Sequence, residues 1–155
     1  MTIAPATIEK NLRLHVDRLA GLIGPRTLSK PKTIQATIGY IEGQWSEMEY
    51  SHSRECYDAM GDEATNLIVE YPGTKRADEI VLLGAHYDTV FSTPGADDNA
   101  SAVAVLIEVS RLLREHTGNP PTNTLPIVWC DGGGCLSIEK SASEERNRLI
   151  FGEIV

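Results

Sequence analysis

The apolar positions of this chain recur with two different periods. Between Ala6 and Ile23 the residues Ile8, Leu12, His15, Leu19 and Leu22 repeat at helical spacing, with Pro5 near the first turn and Gly24-Pro25 as the stop, so one amphipathic helix is predicted there. His15 falls on its apolar face and reads as a packed core residue, not a ligand. Pro31 opens a second amphipathic helix to about Gln44, with Ile34, Ile38 and Ile41 on the buried side. Glu47 to Ser53 alternates loosely and predicts an edge strand on which His52 faces solvent, and the polar run RECYDAMGDE over 54–63 predicts a loop. Asn66 to Tyr71 reads as a strand. The Pro72-Gly73-Thr74-Lys75 turn then leads into Ile80 to Leu83, so these two strands are expected to pair antiparallel.

Ile80 to Leu83 is uninterrupted and apolar, the pattern of a strand covered on both faces. From about Ala100 to His116 comes a helix apolar on most of its surface: Val103, Val105, Leu106, Ile107, Val109, Leu112 and Leu113. Such a helix is buried between layers. Glu108 within it reads as a pairing residue, and His116 sits where the helix dipole favours a cation. Asn123 to Cys130 predicts another central strand, although Pro126 lacks a ladder donor. Strands alternating with helices give the fold class: α/β, a mixed, mostly parallel sheet with helices on both faces.

Composition narrows the function. A length of 155 residues makes one domain with room for a core. A net charge of −8 and a sequence pI near 4.9 argue against nucleic acid or an anionic membrane as partner. Cys56, Cys130 and Cys135 have no zinc-finger spacing and form no even set, so a reduced compartment is the simpler expectation. The opening MTIAPATIEKNLRLHV carries charges where a signal peptide needs an apolar core, and no run approaches a membrane span, so a soluble cytoplasmic chain is expected. No G-x-S-x-G elbow supports a serine hydrolase.

Chemistry gathers between Glu79 and Arg114. His86 and Asp88 stand at i and i+2 where the Ile80 strand ends, so they point the same way if the pleat holds. Ten residues past Asp88, Asp98 lies in the small-residue loop Pro94-Gly95-Ala96-Asp97-Asp98-Asn99-Ala100-Ser101. Imidazole and carboxylate without thiolate suit Zn²⁺, and a carboxylate beside a ligating histidine can fix its tautomer instead of touching the metal. The competing reading is structural: Asp97, Asp98 or Asn99 caps the helix, and His86 is a hydrogen-bonded core histidine. The conjunction of both elements at one strand-to-helix turn favours the metal.

GAHYDTV followed by PGADDNASAVAVLIEVSRLL closely resembles the co-catalytic di-zinc exopeptidases of metallopeptidase family twenty-eight, the leucyl-aminopeptidase and glutamate-carboxypeptidase group. HVDRLAGLIGPR and NLIVEYPG extend the likeness over roughly residues 12–131, leaving 132–155 as a divergent tail. The resemblance implies a zinc-dependent exopeptidase, most simply an aminopeptidase acting on peptides, with two zinc ions. It implies that His86 binds one zinc, that Asp98 bridges both, that Asp88 steadies His86 as part of the catalytic apparatus, and that Asp98-Asn99 is a non-proline cis peptide. Ala102 replaces a customary glycine.

The resemblance also implies two adjacent glutamates, a base and a ligand, about nine and ten residues beyond the Thr124 strand start. The sequence there reads Asp131-Gly132-Gly133-Gly134. Glu144-Glu145 comes eleven residues later in what reads as a solvated helix face. A further Asp and a distal His of the family would fall beyond Val155. The expectation is therefore an incomplete, truncated domain with little or no activity, the alternative being a non-catalytic binding module. GAG GAG codons displaced by one base yield Gly-Gly, so a shifted frame is one origin of the tail; the nucleotide sequence around codons 129–136 tests it.

Overall fold

The computed structural model describes residues 4–59, 61–115, 123–130 and 148–153. Helix α1, Pro5–Val16, continues through wider turns at Asp17–Ile23 in which Gly24 N–H reaches back to the Leu19 carbonyl (3.0 Å). That five-residue reach explains a departure from the helical pattern. Leu22, expected on the buried side, is turned out and 74% exposed, while Ile23 packs against the core. A wide turn advances each residue by less than the ordinary 100°, so a stripe laid out for 3.6 residues per turn drifts off the core. Helix α2, Pro31–Glu47, buries Ile34, Ile38, Ile41 and Trp45. It runs one turn further than predicted because Trp45 continues the stripe.

The expected edge strand and loop are redrawn accordingly. Strand β1 is His52–Ala59 and β2 is Asp62–Tyr71, paired antiparallel from His52↔Val69 to Ala59↔Asp62. Residues 54–63 are therefore mostly strand. β1 lies at the sheet edge and is exposed almost throughout, so no buried face imposed an alternation that could be read. His52 is exposed as expected, with its ring 5.4 Å from that of Trp45.

β3, Arg76–His86, β4, Asn123–Cys130, and β5, Arg148–Glu153, complete a five-stranded sheet of order β1-β2-β4-β3-β5. β4 is antiparallel to β2 and parallel to β3, and β5 is parallel to β3. The predicted β2–β3 pairing is thus incorrect: β4 stands between them. The Pro-Gly turn reverses the chain but does not force adjacency. The place between is taken by a strand whose Ile127 and Val128 are each 1% exposed. Pro126 faces Glu70 across the ladder, so burial of its neighbours overrides the proline's missing donor.

Helix α3, Ser101–Glu115, connects β3 to β4. One core joins Leu19, α2, Val103, Leu106 and Ile107 to Leu67, Val69, Ala85, Tyr87 and Ile127, which alternation places on one sheet face. On the other face Ala64, Ile80, Leu82 and Val128 are also buried, as the uninterrupted apolar run of β3 required. The fold is α/β with a mixed sheet and helices.

Where α1 meets α3 the core is polar. Glu108, 3% exposed, accepts hydrogen bonds from Asn11 Nδ2 (3.2 Å) and Arg111 Nη2 (2.6 Å), and lies 3.5 Å from His15 Nε2. His15 Nδ1 is 2.6 Å from the Tyr40 hydroxyl. An ionised Glu108 only accepts, so the proton of a neutral His15 sits on Nε2 and Tyr40 donates to Nδ1. Both residues therefore pair within the core, as expected from the sequence. Burial pushes the His15 pKa below its ordinary value, and so does the Arg111 charge, against the raising pull of Glu108 and Glu47.

A depressed folded-state pKa means that the unfolded chain takes up the proton more readily. The contribution of His15 is thus fully present above the unfolded value of about 6.5 and is lost as pH falls below it. Glu108 adds to the trend at lower pH. Burial raises its pKa, but hydrogen bonds from Arg111 and Asn11 outweigh this and hold it below the usual carboxylate range. We expect the urea midpoint to fall between pH 7 and pH 5, and His15→Phe to flatten that fall. A midpoint independent of pH over this interval would contradict the assignment.

Candidate metal site

The site forms where β3 ends. Parallel pairing sets His86 beside Cys130 of β4, so the carboxyl ends of these strands open to the same edge. Sequence order also reverses here, since β4 lies on one side of β3 and β5 on the other. Open α/β sheets gather ligands at such a place. His86 is the last residue of β3, and Asp88 stands two positions on, on the same side. Their side chains meet, with His86 Nδ1 3.1 Å from Asp88 Oδ1.

Asp98 arrives from the following turn. Gly95 enters it at φ +58°, in the left-handed region, and its carbonyl accepts from Ala100 N–H (3.0 Å). The Asp98-Asn99 peptide is cis, as the resemblance implied. This geometry brings Asp98 Oδ1 to 2.9 Å from His86 Nε2. His86 is thus held by carboxylates at both ring nitrogens. Its pKa is raised, first by the hydrogen bond with Asp88, with burial opposing and the charges of Asp88 and Asp98 adding. The capping reading fares less well, since the Asp98 carboxylate pairs with His86 and the buried Asn99 follows inside the turn. Asp97 is exposed, and its main-chain carbonyl accepts from Ser101 Oγ (2.8 Å).

The three residues singled out from sequence therefore come together. Gly133, Gly134, Glu144, Glu145, Cys135 and His116 lie outside the described residues. Among the described residues no group of three or more His, Cys, Asp or Glu is arranged to hold a metal. Cys56 is free and exposed on β1. No helix among the described residues is long and apolar enough to cross a membrane.

The profile of peptidase family M28 matches residues 66–133, a stretch that contains His86, Asp88 and Asp98. Over this stretch the chain resembles peptidase family M28. An aminopeptidase of Pseudomonas aeruginosa is 30% identical over 95 residues, 56% of this chain and 17% of that protein. BSAP, a zinc aminopeptidase from Bacillus subtilis, superposes with a TM-score of 0.64 at 12% identity, covering 77% of this chain and 60% of its own. The glutaminyl cyclase of Fimbriiglobus ruber superposes with a TM-score of 0.71 at 15% identity over 99% and 62%. At these identities the two structures share the fold. The chain spans less than half the length of the curated relatives it matches.

Sequence reading missed what holds this turn in place. Arg26, within the quoted HVDRLAGLIGPR run, is 0% exposed and reaches both Tyr87 and the Pro94-Gly95 carbonyls. Thr89 is paired with Arg26 main chain in both directions: Arg26 N–H donates to Thr89 Oγ1 (3.0 Å), and Thr89 N–H to the Arg26 carbonyl (2.8 Å). An arginine directly after Gly-Pro, at the end of an apolar helix and with no acid nearby in sequence, was the available signal.

Proposed function

We propose that this chain carries the His-Asp half of a zinc exopeptidase centre, of the kind that removes N-terminal residues from peptides, and that the chain as written turns substrate over weakly or not at all. The observation carrying this is the 2.9 Å approach of His86 Nε2 to Asp98 Oδ1 at the strand end. The donor set fits the metal in kind. A neutral His86 with its proton on Nδ1, directed at Asp88, offers the Nε2 lone pair on the side where Asp98 stands, the usual arrangement of a ligating histidine. His86 and Asp98 would hold the ion, and Asp88 would fix the tautomer. It fits less well in number, because catalytic zinc uses three or more protein ligands.

When bound, a zinc pair polarises a scissile carbonyl and acidifies its bound water. The work left to the chain is to orient the donors and to take up a proton. His86, Asp88 and Asp98 do the first. For the second, the resemblance calls for a glutamate where this sequence has Gly133 or Gly134. Glycine has no side chain to accept the proton, so low turnover follows, and the same substitution favours the alternative of a non-catalytic, metal-binding relative.

Zinc titration against a competing chelator, alongside hydrolysis of a leucyl anilide, tests both parts. We expect zinc to bind, His86→Ala to abolish measurable binding, Asp88→Ala to weaken it by about 10–100-fold, and the anilide to remain intact. Chelator-sensitive hydrolysis would overturn the claim of weak turnover. Zinc affinity unchanged by His86→Ala would overturn the ligand assignment.

A further inference from the structure

Arg26 is a wholly buried cation whose guanidinium hydrogen bonds all go to main-chain carbonyls. Nε donates to Tyr87 O (2.7 Å), Nη1 to Leu19 O (3.0 Å), Gly24 O (3.0 Å) and Pro94 O (2.8 Å), and Nη2 to Gly95 O (3.1 Å). Three separate pieces of chain are joined in this way: the wide turns after α1, the end of β3, and the turn leading to Asp98. Tyr87 lies between His86 and Asp88, and Gly95 stands three residues before Asp98. One rigid planar group therefore touches both backbone segments that carry the metal-site side chains.

Energetically this is a costly way to tie loops together. Burial pushes the Arg26 pKa down to about 10, with the Asp88 charge pulling it back up, so the group remains a cation at neutral pH. A buried charge whose hydrogen bonds all go to carbonyls is a weak source of stability, since desolvation offsets most of the gain. What a guanidinium supplies that an apolar side chain does not is a fixed fork of five donors. Five carbonyls are reached from its three nitrogens, with the two Nη1 N–H groups shared among three of them.

We propose that Arg26 is the positioning residue of this site, setting the distance between the His86-Asp88 strand end and the Asp98 turn. Calling those side chains metal ligands rests on the function proposed above, but the spacing itself can be measured without metal. Lysine tests the idea most cleanly. It keeps the charge and much of the apolar stem, yet its three donors spring from a single point and cannot reproduce a planar fork that serves five carbonyls from three nitrogens.

The experiment uses the full chain, isotopically labelled and metal-free. It reads the nuclear Overhauser effect between the His86 ring Hε1 and Asp98 Hβ protons, and the order parameters of Gly95 to Ala100, for wild type, Arg26→Lys and Arg26→Met. In wild type we expect the cross-peak and order parameters near 0.85. In Arg26→Lys we expect the cross-peak to be lost and the order parameters to fall below about 0.6 in this turn, while amides of α2 and β2 keep their wild-type values. Zinc affinity should drop by at least about tenfold with the melting temperature little changed, a split that a purely structural role would not produce.

Wild-type order and a retained cross-peak in a folded Arg26→Lys would overturn the proposal. So would unfolding of both variants with no separate loosening of the turn, because Arg26 would then act on the whole fold. If wild type binds no zinc, the metal reading falls by itself, and the cross-peak still decides the role of Arg26.

Discussion

Replacing Gly95 by alanine is expected to lower the stability of this chain by roughly 2–4 kcal/mol and to displace the Asp98 turn. Two costs combine. Gly95 sits at φ +58°, where an L side chain pays about 1 kcal/mol or more. A Cβ built there would also run into the Thr89 side chain and the Asp98 carbonyl, with Arg26 Nη2 3.1 Å away. Forcing atoms into such a packed place costs about 1–3 kcal/mol. The Asp98 carbonyl is main chain, so it yields only if the turn moves, and the turn is what carries Asp98 to His86. Thermal unfolding should show the loss, and zinc binding should fall with it. Gly39 is the control. It is exposed in α2, with nothing within 4 Å of a Cβ. Gly39→Ala is therefore expected to raise stability by about 0.5–1 kcal/mol. Equal effects at the two glycines would refute the account of the turn.

The second large effect is expected at Glu108. Its side chain is 4% exposed and receives Arg111 and Asn11 while facing His15. Glu108→Ala leaves those donors without their shared acceptor and should cost about 3–5 kcal/mol, the usual penalty for breaking a buried ion pair from one side. Arg111 retains Glu115 as a second partner (2.6 Å), which places the expected value toward the lower end. Replacing Glu108 by Leu together with Arg111 by Met removes both charges and should restore most of the loss. A double-mutant cycle by urea denaturation, with Glu108→Leu and Arg111→Met as its single variants, measures the coupling. If the double variant were as unstable as the sum of the singles, the network would be adding no coupling of its own.

Much of the site was legible because it is local. His86 and Asp88 fall on one side through the two-residue pleat, and Asp98 lies within one strand-to-helix connection, so spacing alone brings them near. The motif pair then carried the family likeness, and the cis peptide at Asp98-Asn99 followed from it. What holds the site was not legible, because Arg26 acts across more than sixty positions in sequence. Nothing in its own neighbourhood shows that its donors will find the carbonyls of Tyr87, Pro94 and Gly95.

The fold divides along the same line. Helix α2 was set by apolar periodicity, since a buried stripe must repeat with the period of its own element. Helix α3 and the β3 run were set by being apolar on nearly all sides, as elements buried between layers must be. Leu22 departed from its stripe through a local change of winding, and β1 gave no period because an edge strand has no buried face to impose one. Strand order escaped the sequence altogether. The Pro-Gly turn after β2 fixed a reversal of direction, but whether β3 or β4 became its neighbour was decided by burial of Ile127 and Val128 between layers. The chain's own pattern determined which residues form elements and which carry the chemistry. The tertiary structure alone decided which elements touch and how firmly the His86–Asp98 pair is held, because pairing and clamping are contacts between segments that share no periodicity.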